Sequence, residues 1–105
     1  MKTIRQVLLD AHKAVNELIL KEGYRILKAE FSFNHSIVVW IEEPLRADLP
    51  TERCFLKVVE NNQPVPLAFE YVSSAFNPFD SKAVHLFRVP ERVVREEPVC
   101  LSAVA

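Results

Sequence analysis

The sequence predicts a mainly β domain: a compact antiparallel sheet or sandwich of roughly five to seven strands. An N-terminal amphipathic helix packed on that sheet is the α+β alternative. Three observations lead there. "YRILKAEFSF", residues 24–33, alternates with period two. "SIVVWIE", residues 36–42, is rich in β-branched and aromatic residues on both faces, as a central strand should be. The clusters "NHS", "NNQPVP" and "NPFDS" then break the chain at intervals that suit strands.

Residues 3–22 admit two readings. Ile4, Val7, Leu8, Ala11, Val15, Leu18 and Ile19 recur at helical spacing, Thr3 and Gln6 fit a capping box, and Gly23 stands where helices stop. The competing reading is two strands, "TIRQVLL" and "NELIL", joined by the polar "DAHKA". In the next segment, alternation puts Ile26, Lys28, Glu30 and Ser32 on one face, and Leu27, Ala29, Phe31 and Phe33 on the other. Pro44 and Pro50 bracket a loop over residues 43–52. "RCFLKVVE", "AFEYVSSAF" and "KAVHLFRVP" read as the later strands. Residues 1–105 form one domain, with 91–105 an edge strand, a subunit contact or a tail.

Composition excludes several functions. Half of the 105 residues are hydrophobic, enough for a core. With 13 basic against 14 acidic residues there is no basic excess, which disfavours nucleic acid as a partner. No apolar run approaches the ~18 residues of a membrane span, and charges interrupt "MKTIRQVLLDAHK" too early for a signal peptide. A single glycine, Gly23, rules out glycine-rich phosphate loops and dinucleotide fingerprints in their usual form. Cys54 and Cys100 lack any CxxC or Cys/His neighbourhood and read as reduced thiols of an intracellular protein.

No catalytic set emerges. Glu42 and Glu43 are strand neighbours pointing to opposite faces, so they cannot flank one bond; they read as the exit of a buried strand into a solvated loop. His12, His35 and His85 have no ligand spacing around them, so no metal and no cofactor is expected. His85 reads as a half-buried, hydrogen-bonded structural residue. Cys54 alternates with Leu56 and Val58, which buries it and makes a Cys54–His85 nucleophile pair a poor candidate. The binding candidates are Arg46 and Arg53, which flank one loop and could converge on an anion. Phe76 and Phe79 join them, aromatic rings in a turn segment of the kind that marks contact sites.

The succession "EGYRIL", "VVWIEEP", "PTERCFLKVV", "NNQPVP", "YV" and "AVHLFRV" resembles a family of short uncharacterised proteins found mainly in bacteriophage genomes and prophages. The resemblance covers residues 18–90. Where that family's usual turn carries glycines and a histidine, this chain has "NNQPVP". Its relatives carry prolines near the N-terminus that exclude a long helix there. The resemblance therefore implies a mainly β fold and favours strands at the N-terminus. It implies a phage or prophage accessory protein in the cytoplasm of a bacterial host, and supplies no catalytic residues.

The function expected first is thus a non-enzymatic binding protein, acting on a host or anti-phage defence protein or sequestering a small signalling molecule. Self-association is expected as well. A virion or assembly component working through protein contacts is the alternative, and a small hydrolase ranks third.

Overall fold

The N-terminal third settles as strands. The computed structural model describes residues 1–32 and 36–96, and it contains seven strands: β1 (Lys2–Asp10), β2 (Asn16–Lys21), β3 (Arg25–Phe31), β4 (Ser36–Pro44), β5 (Thr51–Glu60), β6 (Glu70–Asn77) and β7 (Lys82–Val89). They form two antiparallel sheets, ordered β1-β4-β3 and β2-β5-β7-β6. The fold is mainly β, as the alternation predicts. The helix reading of residues 3–22 is corrected because β4 and β5 offer each half a full ladder, from Lys2↔Pro44 to Asp10↔Ser36 and from Asn16↔Leu56 to Lys21↔Thr51. A helix would have buried Ile4, Leu8 and Ile19, all of which are exposed; Leu9 and Leu20 are buried instead.

Asn16 closes the β1–β2 connection. Its side-chain oxygen accepts from the Asp10 N–H and its amide donates to the Asp10 carbonyl, both at 3.0 Å, so a buried side chain stands in for a strand partner. The sheet change from β2 to β3 turns at Gly23, whose φ of 89° favours glycine and whose added Cβ would meet Pro44 Cγ at 3.4 Å.

Between the sheets lie Leu9, Val39 and Ile41 from one side and Leu20, Leu56 and Leu86 from the other. β4 alternates buried and part-buried residues along its whole length, as the centre of a sheet with one open face. A register shift between Ile26 and Lys28 corrects the face assignment in β3. The bulge turns Ile26 onto the core with Ala29 and Phe31, and leaves Leu27 exposed.

The two outer faces differ. That of the four-stranded sheet is covered in part: Phe55 and Val89 pack with Phe69 and with Val93 and Val94 of the helix α1 (Glu91–Glu96), while Ile19, Tyr71 and Phe76 remain exposed on it. This helix occupies the start of the segment for which an edge strand was one expectation. Residues 97–105, with Cys100, and residues 33–35, where a polar turn is expected from the sequence, lie outside the described residues. No described element packs on the outer face of the three-stranded sheet. Among the described residues no helix is long and apolar enough to cross a membrane.

Glu42 stands on that open face with Lys2 Nζ at 3.0 Å and Arg25 Nη2 at 3.2 Å. The Lys2 hydrogen bond, more than any other contact, holds its carboxyl below the usual carboxylate range. Its share of stability is therefore present above that range and fades as pH falls. Lys2→Ala is expected to move the Glu42 titration upward, as read from carboxyl ¹³C shifts. An unchanged midpoint would show that the pair does not persist in solution.

Candidate binding cleft

Glu43 follows Ile37, Val39 and Ile41 on the inward register of β4, so its carboxylate enters the sandwich and needs partners there. It has two. Arg5 Nε donates to Oε1 at 2.6 Å, and the backbone N–H of Lys21 donates to Oε2 at 2.8 Å. Arg5 also reaches the Ile19 carbonyl with Nη2 at 3.2 Å. The open seam between β1 and β2, which share no ladder, is thus clamped by one buried carboxylate. Part of the sequence reading needs correction here. The two glutamates do point to opposite faces, but Glu43 is buried and joins the sheets.

Around this clamp opens a cleft of about 660 Å³, within the usual size range of small-molecule sites. Thr3 and Arg5 of β1, Ile19 and Lys21 of β2, Glu43 to Ala47 and Thr51 line it. Ile19 and Leu45 give it an exposed apolar wall. Arg5, Lys21 and Arg46 are its cations against the single carboxylate of Glu43. Lys21 Nζ donates to the Leu49 carbonyl at 3.2 Å, and among the described residues no carboxylate lies within ion-pair distance of it. Arg46 grips Asp48 through Nε at 3.1 Å and Nη2 at 2.6 Å, which holds the Asp48 carboxyl below its usual range and leaves the far edge of the guanidinium open. Counting Asp48, one positive charge remains in excess.

Of the residues singled out in the sequence, Arg46 lines this cleft. Arg53 is not among the lining residues: it pairs with Glu17 at 3.5 Å and stands beside the cleft residue Ile19 on the outer face of the four-stranded sheet. Phe76, expected in a turn, stands instead within β6 opposite Ala83, because the ladder with β7 runs on to Asn77. Phe79 does lie in the β6–β7 turn, and the two rings are 60% and 76% exposed and remote from the cleft in sequence and sheet order. Arg5, Lys21 and Leu45 were not singled out, because nothing marks a cation or a leucine as facing a seam until the sheets are paired.

Cys54 is buried in the core, where its thiol stands beside the Tyr24 phenol; burial first and the thiol second push that phenol's pKa up. His85 lies on the opposite face of the same sheet, so the two do not form a nucleophile–base pair. His85 is instead the middle of a hydrogen-bonded chain. Its Nε2 lies 2.6 Å from Asn61 Oδ1, which accepts only, so Nε2 carries the proton and Nδ1 accepts from Ser74 Oγ at 2.7 Å. Ser74 Oγ in turn lies 2.7 Å from the Tyr71 hydroxyl. A histidine satisfied at both nitrogens pins the β5–β6 loop to β6 and β7. The order serine, histidine, asparagine resembles a nucleophile with its base and orienter, but it lies outside the cleft.

Two stacked antiparallel sheets with a basic cleft at one corner define a small, mainly β sandwich domain. A family model described as a domain of unknown function, DUF7352, matches residues 1–97, and the chain belongs to that family. No curated protein and no solved structure matches it.

Proposed function

We propose that this protein is a non-enzymatic binding domain that holds a small anionic molecule with an apolar part in the cleft between β1 and β2. The observation that carries this is the pairing of Lys21, whose ammonium makes no ion pair among the described residues, with the exposed apolar wall of Ile19 and Leu45. A carboxylate or phosphate would lie between Lys21 and the open edge of Arg46, where charged hydrogen bonds are strongest. The apolar part would cover Leu45. Arg5 is already committed to Glu43 and serves to hold the seam. The setting in a phage or prophage, the bacterial cytoplasm and the sequestering of a signalling molecule are supported by the resemblance of the motifs alone.

Native mass spectrometry of protein taken gently from a bacterial lysate tests this. The expected result is a discrete extra mass that the Lys21→Ala/Leu45→Asp double variant loses while staying folded. A bare chain, unchanged when the small-molecule fraction of the lysate is added back, would count against capture.

Phe76 and Phe79 favour a second reading, action through contact with a host, defence or virion protein, since exposed aromatic rings are enriched at interface hot spots. Under it, Phe76→Ser/Phe79→Ser abolishes biological activity and the cleft variant leaves it intact.

A further inference from the structure

We infer that the outer face of the three-stranded sheet is where two copies of this chain pack together, about a two-fold axis running across the strands through the row Gln6, Trp40, Lys28. The register fixes what stands on either side of that row. One step away on one side is the row Ile4, Glu42, Arg25; one step away on the other is Leu8, Val38, Glu30. Beyond them, at the two ends of β1, stand Lys2 and Asp10. Lys2 and Arg25 share Glu42, so the face keeps one net positive charge at that end against the carboxylates of Asp10 and Glu30 at the other, with exposed Ile4 and Leu8 between.

A two-fold axis along the middle row lays each strand over its own copy with direction reversed. Ile4 then meets Leu8 of the second copy, Arg25 meets its Glu30 and Lys2 meets its Asp10, while Glu42, held by Lys2 and Arg25 of its own chain, faces Val38 and the Trp40 rows lie on the axis. An axis along the strands would lay Glu42 on Glu42 and set Arg25 and Glu30 against the apolar Ile4 and Leu8, so complementarity selects the first arrangement. Lys28 lies on the axial row in both copies, but each ammonium is already paired with its own Glu30 at 2.5 Å and covers its own Trp40 ring at 5.2 Å. Face-to-face packing of twisted sheets is an ordinary way to bury such a surface. It would also give this sheet a cover, as α1 and Phe69 cover Phe55 and Val89 of the other one.

The area sets the strength. The nine-residue strands β1 and β4 are about 30 Å long, the seven-residue β3 is shorter, and the three together are about 14 Å wide, so the flat contact is at most roughly 400 Å² per copy, below the ~800 Å² of a standard interface. A dimer with a dissociation constant in the micromolar range is expected, weakened by salt.

Sedimentation equilibrium of the full chain from about 5 to 500 μM reads this directly. The wild type is expected to pass from monomer to dimer, and Leu8→Glu, at an exposed position, to weaken association at least tenfold. Two charge reversals test the axis. Arg25→Glu and Glu30→Arg each set like charges against each other and should be monomeric alone, whereas mixed together they regain both oppositely charged contacts and should associate. A wild type monomeric throughout would overturn the proposal, as would a dimer indifferent to Leu8→Glu or reversals that fail to complement. A monomer that dimerises only when residues 97–105 are removed would also overturn it, giving the face to the chain's own end.

Discussion

Leu56→Ala is expected to lower the free energy of unfolding by about 3 kcal/mol, as truncation of a fully buried leucine does when its surroundings cannot close over the space. Leu56 is 0% exposed, in the interior strand β5 with β2 on one side and β7 on the other. Its side chain meets the opposing sheet in the core of Leu9, Val39 and Ile41. For a chain of 105 residues that loss lowers the melting temperature by on the order of 15 °C. Urea unfolding followed by far-ultraviolet circular dichroism checks it, with an unchanged denaturant slope. A loss under about 1 kcal/mol would mean that the two sheets do not close on Leu56.

Glu43→Ala is expected to cost about 2 to 4 kcal/mol, close to a core truncation, although the residue is charged and ends a strand. The reason is what it leaves behind. The Lys21 N–H loses its acceptor at 2.8 Å, and Arg5 loses a partner at 2.6 Å beside the seam. Arg5 is about half exposed, so part of its loss returns to water, and the orphaned backbone N–H carries most of the effect. Glu43→Gln keeps an acceptor for Lys21 and should fall between alanine and wild type. Glu42→Ala, one residue earlier on the solvent face, should change stability far less, because its partners Lys2 and Arg25 are exposed. Equal effects at the two positions, by the same urea titration, would contradict the clamp.

Much of the fold is legible wherever one periodicity dominates. In β4 the order Ile37, Val39, Ile41 inward is readable from sequence, and continuing the count to Glu43 would have placed its carboxylate inside. The difficulty at residues 3–22 was that Ile4, Val7 and Leu8 satisfy a helical stripe as well as a strand pattern. Leu9 and Leu20, outside that stripe and both fully buried, are the residues that tell the two apart. The misplaced faces of β3 come from one inserted residue at the Ile26–Lys28 bulge, a local event that alternation cannot reveal. The cleft was hidden for a different reason. Arg5, Lys21 and Arg46 come from three separate segments and meet only because the β1–β2 seam is left open. No spacing in a single strand encodes that. Arg53, close to Arg46 in sequence, stands across from the cleft residue Ile19 on the outer side of β5 and is engaged there by Glu17.

The most direct measurement of the central claim is a ¹H–¹⁵N correlation titration of the folded protein with three probes: phenyl phosphate, inorganic phosphate and phenol. The account predicts shifts confined to Thr3, Ile19, Lys21, Leu45 to Ala47 and Thr51, saturating with phenyl phosphate well before either fragment. Lys21→Ala should remove the phosphate's advantage and Leu45→Asp that of the ring. Shifts that are absent at millimolar probe, or centred instead on Phe76 and Phe79, would contradict a binding cleft at the β1–β2 seam.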